Sequence, residues 1–272
     1  MTLYGGIDLH ANNSVISVID DHDTIVYEKR HVNDLREVRA VLEPFRDNLL
    51  ACVVESTYNW YWLVDGLMDA GFDVRLAHTG AIPQYAGIKH SNDQTDARHL
   101  AHLLRLGILP EGHIQPREQR AIRDLLRRRL LLVRQKTLHH LSLQSLIVRH
   151  TGERLSANQI KALDKEAIAD KLADPIRLGG QITHLARCWH EQAIEMLEDE
   201  VLKHLQPRQE YQLLISIPGV GKVLASTIVL ETGAIERFPD PGHYASYARC
   251  VNTAKVSNGK LKGHGNKRNG NK

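Results

Sequence analysis

The sequence is sparing with cysteine and with aromatic rings: its 272 residues include three cysteines, three tryptophans and three phenylalanines, and aromatics make up 5%. Cys52, Cys188 and Cys250 are scattered, odd in number and in no CxxC pair. That argues against a zinc ribbon and suits a reducing, cytoplasmic setting. No secretory signal or membrane-spanning run is visible, so no membrane role is expected. The GxxxxGK[ST] spacing of a P-loop is also missing. Most telling is a local lack of negative charge. From Gly242 to Lys272 there is no Asp or Glu, against Arg249, Lys255, Lys260, Lys262, Lys267, Arg268 and Lys272. The overall formal charge of +3 hides this asymmetry, which points to a polyanion partner.

Acid is placed at the other end, in Asp8 of GIDLH, Glu55 of VVES, and Asp93 and Asp96 of NDQTDAR. The apolar runs that end at Asp8 and Glu55 read as strands, and open α/β sheets place their chemistry at strand ends. Asp93 and Asp96 stand at the start of a helical pattern reaching Leu106, spaced so that both project from one face. Converging carboxylates repel unless divalent cations neutralise them, and an all-oxygen ligand set suits Mg2+ or Mn2+ rather than zinc. His99, His102, His139 and His140 lack the further Cys or His that a tetrahedral site needs, and are not read as ligands.

Strand-like runs at Leu3 to Leu9, Ser14 to Ile19 and Thr24 to Lys29 are separated by short polar segments, His10 to Asn13 and Asp20 to Asp23, as in an antiparallel meander. A helix capped by Asn33, the strand ending at Glu55, a helix from Asn59 to Ala70 and a strand from Asp73 to Ala77 follow. That order is the order of a mixed α/β sheet of the ribonuclease H type. Tyr58, Trp60, Tyr61 and Trp62 are expected to pack the helix after Glu55.

From Gln115 to Arg149 the pattern predicts one long helix, with Leu125, Leu126, Leu130, Val133, Leu138, Leu141 and Ile147 on its apolar side. Its polar side carries Arg117, Arg120, Arg123, Arg127, Arg128, Arg129 and Arg134, either a solvated face or a nucleic-acid contact. A second, acidic helix spans Ile176 to Leu205, and the two suggest an antiparallel hairpin or coiled coil joined by a polar connector. The expected domains are 1–112, a catalytic sheet domain; 113–206, a helical linker; and 207–272, a small, mainly α C-terminal domain. In the last, IPGVGK reads as a helix-hairpin-helix turn. Gly219 and Gly221 let backbone N–H groups approach a phosphate at the N-terminus of a helix starting near Lys222.

These motifs, in this order and over nearly the whole chain, resemble the DEDD transposases of bacterial insertion sequences, the Piv-like or MooV-like recombinases with a RuvC-like catalytic domain. GIDLH matches the opening aspartate, VVESTYNWYW the glutamate segment and NDQTDARHLA the paired aspartates. IPGVGKVLASTIVLETG, with Phe238 to Tyr247, matches the second block. The resemblance implies that Asp8, Glu55, Asp93 and Asp96 hold magnesium and that Ser257 in KVSNGKLKG attacks a DNA phosphodiester. Lys255, Lys260 and Lys262 are then expected to hold the strand. It further implies a structured guide RNA, which Arg120, Arg123, Arg127 and Arg134 would suit, and a homodimer or homotetramer. Relatives continue past the GN-rich segment into another apolar helix, so a truncated C-terminal domain is expected. Two other readings stay open: a RuvC-like junction-resolving nuclease, which needs the acidic cluster but not Ser257, and a truncated, inactive nucleic-acid-binding remnant.

Overall fold

The structure, a computed structural model, describes residues 1–82, 93–251 and 254–264. Its contacts gather into two compact units, Met1–Ile114 with Asp240–Lys272, and Gln115–Pro239. No helix among the described residues is long and apolar enough to cross a membrane.

In the first unit, β1 (Leu3–Leu9), β2 (Asn13–Asp20) and β3 (Ile25–Val32) form the antiparallel meander. Then come α1 (Leu35–Leu42), β4 (Leu49–Glu55), α2 (Tyr61–Asp69), β5 (Val74–Ala77), α3 (Asp93–Arg105) and the short β6 (Glu111–Gly112). The strand order is β3-β2-β1-β4-β5-β6, with β1, β4 and β5 parallel and the other pairings antiparallel, a ribonuclease H-like mixed sheet. Alternation along the strands sorts its two faces. Ile7, Leu9, Ile16, Val18, Cys52 and Val54 pack with Val38, Leu42, Leu63 and Leu67 of α1 and α2. On the opposite face Val53 and Ala77 meet Leu100 of α3. Trp60 is buried and Tyr61 and Trp62 pack against the larger core, but Tyr58 is 84% exposed.

The cap of α1 is Asp34, which accepts from the Arg36 amide, and not Asn33. Asn33 Nδ2 instead donates to the carbonyls of His10 and Ala11 at 2.9 and 3.1 Å. An asparagine can serve a helix cap or a turn, and here the β1–β2 turn takes it.

The second unit holds α4 (Arg117–Thr151), α5 (Ala157–Ala162), α6 (Lys165–Lys171), α7 (Ile176–Leu205), α8 (Gln209–Ile215) and α9 (Lys222–Thr232). α4 and α7 run antiparallel: Ile122 and Leu126 meet Val201 and Leu205, while further along Arg129 pairs with Glu198 at 2.6 Å and Lys136 with Glu191 at 3.4 Å. The polar connector is itself folded. Leu155, Ile160, Ile168 and Leu172 of the α5–α6 region close a small core over Leu143 and Ile147. A Ser156–Gln159 capping box and an Asp164 cap start its helices. Tyr211, Ala225, Val229 and Leu230 dock α8 and α9 at the other end. Leu130, Leu138 and Leu141, expected in the apolar stripe of α4, are exposed, as are Leu178, Ile182 and Leu185 of α7. In the first unit α10 (Pro241–Tyr247) precedes a hairpin of β7 (Ala254–Ser257) and β8 (Lys260–His264).

Candidate active site

Asp8 lies near the end of β1, one residue past the Ile7–Val54 pair of the parallel β1–β4 register. One further step along both strands sets Glu55 beside it. By strand alternation both share the face of Gly6 and Val53, the face that α3 covers. A β-carbon on Gly6 would stand 2.0 Å from the Ala97 carbonyl oxygen and 2.8 Å from the Ala101 nitrogen. Glycine here lets α3 rest on the strand backbone, which brings Asp93 and Asp96 of its first turn to the ends of β1 and β4. Ion pairs latch the same helix to β3 and the turn before it: Arg30 holds Asp93, Arg98 binds Glu28 at 2.9 Å, and Arg105 and His102 both engage Asp23.

The carboxylates then act on one another. Burial, a hydrogen bond shared with Asp8, and the charges of Asp8 and Asp96 push the Glu55 carboxyl up to about 7. Asp96 is raised too, by burial and by the charges of Asp8 and Asp93. Asp93 moves the other way, because the Arg30 guanidinium donates to it. Asp8 is only 3% exposed, and among the described residues its Oδ2 has no hydrogen-bond partner. A buried, unpartnered carboxylate oxygen among further carboxylates fits a divalent cation, with Asp8, Glu55, Asp93 and Asp96 as the residues that would hold it.

The sequence reading passed over His10, which it took as part of a polar separator. Its Nε2 lies 3.2 Å from Asp8 Oδ2 and 3.3 Å from Asp93 Oδ2. Asp8, His10 and Asp93 thus present three potential ligand atoms within 4.8 Å of one another. The available signal was parity: His10 is two residues beyond Asp8, on the same side of an extended chain.

Two family models match the chain, one for DEDD transposases of the IS110 type over residues 5–151 and one for transposases of the IS116/IS110/IS902 family over residues 211–272. The chain belongs to the IS110 family of DEDD transposases. It is an enzyme of DNA transposition and recombination. No curated protein matches the sequence. Among solved structures, T. thermophilus RuvC in complex with Holliday junction substrate is similar with 14% identity and a TM-score of 0.30, over 41% of this chain and 100% of that one.

Away from the carboxylates, Ser257 of the transposase ends β7, exposed and paired with Lys260 across the hairpin. Asn258 and Gly259 have φ of 52° and 70°, the two positive values of a type I′ turn, for which Asn-Gly is a preferred pair. Lys260 and Lys262 are exposed on β8, and Lys255 lies on β7 with its side chain outside the described residues. Lys267, Arg268 and Lys272 also fall outside them. In the other unit, Gly219 has φ 88°, and Gly221 precedes α9 without a side-chain cap. Both glycines face open space, and Lys222 is exposed beside them.

The arginine stripe divides. Arg134 is exposed and Arg123 half-buried, while Arg127 makes two hydrogen bonds to Glu231 at 2.7 Å. Arg120 is 3% exposed, so it is not part of a surface offered to a polyanion. The reason is α9, which covers this end of α4: Gln115 Nε2 donates to the Leu230 carbonyl at 3.1 Å, and Glu231 takes Arg127. Helical spacing alone could not show that a second layer lies over the polar side.

Proposed function

We propose that this transposase cuts and rejoins DNA strands at insertion-sequence ends, with Ser257 as nucleophile and with Mg2+ or Mn2+ held by Asp8, Glu55, Asp93 and Asp96. The convergence of carboxylates from β1, β4 and α3 around the unpartnered Asp8 oxygen carries this reading. Bound cations supply Lewis-acid polarisation of the phosphodiester and stabilise its entering and leaving oxygens. The Ser257 Oγ gives up its proton and bonds to phosphorus as the ester P–O bond breaks; the sugar oxygen takes that electron pair and a proton and leaves as a free hydroxyl, and the hydroxyl of a new strand end reverses the step. Lys260, across the hairpin from Ser257, neutralises charge developing on the phosphate. Placement of the Ser257 hairpin in the same compact unit as the carboxylates supports this assignment.

The exposed Gly219–Lys222 loop, with the uncapped amides of α9, grips the DNA backbone without reading sequence. Arg123 and Arg134, with the exposed Arg128, contact a structured guide RNA. Exposed Leu138, Leu141, Leu178, Ile182 and Leu185 on the long helices are the seam of a homodimer or homotetramer. The setting is the cytoplasm, where the DNA lies.

Denaturing gels of the transposase incubated with insertion-end DNA and Mg2+ test the chemistry. A covalent protein–DNA adduct is expected for the native chain and absent for Ser257→Ala. Asp8→Asn should also form none while still binding DNA. Adduct-free cleavage by both the native chain and Ser257→Ala would overturn the serine assignment in favour of a metal-dependent nuclease.

A further inference from the structure

The structure assigns a nitrogen to the cation site: we propose that His10 Nε2 ligates the cation together with Asp8 Oδ2 and Asp93 Oδ2, and that this makes the site prefer Mn2+ over Mg2+. The inference rests on the carboxylate-site reading above and adds the identity of a ligand and the selectivity that follows from it.

Nε2 is 3.2 Å from one carboxylate oxygen and 3.3 Å from the other. Adjacent corners of an octahedron with metal–ligand distances of about 2.1 to 2.3 Å are about 3.0 to 3.2 Å apart, so both separations from Nε2 already stand near that spacing, and the two carboxylate oxygens lie within 4.8 Å of each other. Asp8 Oδ2 and His10 Nε2 are both buried atoms, and neither makes a well-directed hydrogen bond, although Nε2 stands at ion-pair distance from the Asp8 and Asp93 oxygens. Asp8 itself is 3% exposed and directed into this cluster. Two polar atoms withdrawn from water and left without a hydrogen bond are costly unless something else satisfies them.

The backbone of His10 is also held in place on both sides. Its backbone carbonyl accepts from Asn33 Nδ2 at 2.9 Å and from Asn59 Nδ2 at 3.0 Å, and its amide donates to the Asn13 carbonyl at 2.9 Å. Asn13 Oδ1 in turn accepts from Arg30 Nη1 at 2.8 Å, and Arg30 binds Asp93. Partners of this kind fix the orientation of ligating groups. Mg2+ takes oxygen ligands and gives up its water reluctantly, whereas imidazole suits the transition-series cations, so one nitrogen among oxygens shifts preference toward Mn2+.

The test uses the full chain and Mn2+ as the probe, read by electron spin-echo spectroscopy for 14N coupling and by titration against Mg2+, with no DNA present. Native protein is expected to bind Mn2+ with a histidine 14N signal. His10→Ala should lose that signal and weaken Mn2+ binding about tenfold or more, with a smaller loss for Mg2+. His10→Gln, which offers oxygen in place of nitrogen, should recover Mg2+ binding but not the 14N signal, and shows that a loss in His10→Ala is not misfolding. His99→Ala should keep the signal. A 14N signal that survives in His10→Ala, or equal weakening of both cations, would overturn the inference while leaving the carboxylate site intact. Mn2+ binding unchanged in Asp8→Asn would overturn the carboxylate site and this inference with it.

Discussion

Gly6 of β1 and Ala97 of α3 approach backbone to backbone, leaving no room for a β-carbon on Gly6. Because α3 carries Asp93 and Asp96, this contact sets the height of both carboxylates above the strand ends. Gly6→Ala should push the helix outward, lower stability by about 1 to 3 kcal/mol and abolish tight divalent-cation binding. Gly5→Ala is the control, since its β-carbon would lie 3.1 Å from the Cys52 sulfur and no backbone atom lies nearer than 3.5 Å. Urea denaturation and Mn2+ titration of both variants check this. Normal cation binding in Gly6→Ala would show that the helix seat is not what positions the aspartates.

Glu55 gives a pH dependence of definite sign. Its carboxyl ionises at 4.5 in the ordinary case and at about 7 in the folded protein. Between those values the folded state holds a proton that the unfolded state has lost, so stability falls as pH rises through this window. Without divalent cations, Glu55→Gln should therefore be more stable than the native chain at pH 8, by about 2 kcal/mol, and nearly equal to it at pH 4. Denaturation in a chelator at the two pH values is the measurement; an equal difference at both would remove the assignment.

Lys222 and Arg120 should behave in opposite ways, though both were candidates for nucleic-acid contact. Replacing the exposed Lys222 with Ala should lower the slope of log affinity against log salt by about one and leave the melting temperature unchanged. Replacing the buried Arg120 with Ala should lower the melting temperature and spare the slope. Filter binding across a salt series, beside thermal melts, separates the two.

Charge placed on the exposed leucines of the long helices should dissolve the assembly and spare the fold. Leu138→Glu with Leu185→Glu is expected to reduce the mass in solution to that of one chain, with a melt shifted little, because both side chains are exposed. Light scattering on the eluted peak decides; an unchanged mass would place the seam elsewhere.

The strand ends that carry Asp8 and Glu55, and the helix that starts at Asp93, were legible because apolar periodicity is a local property of the chain. What stayed hidden depends on a second element arriving from elsewhere. His10 joins the carboxylates only when Asp93 comes within 3.3 Å, across a gap of many residues that periodicity does not bridge. Asn33 and Asp34 are equally good caps by composition, and the choice fell to the carbonyls of the turn after β1. Arg120 looked like its neighbours until α9 covered it. The α5–α6 connector was masked by its polar residues, although its capping box lay in the sequence.

The ion pairs that anchor α3 have a bearing on misassembly as well. β3 is the outer strand of the sheet and eight residues long, a ready template on which a strand from another molecule could add. Four successive ionisable side chains, Glu28, Lys29, Arg30 and His31, occupy its middle and end, and Arg98 and Asp93 reach over from α3 to engage two of them. An incoming strand would meet a charged edge rather than an apolar one. The strand on which α3 is latched is therefore also one whose charges blunt it against extension by its neighbours.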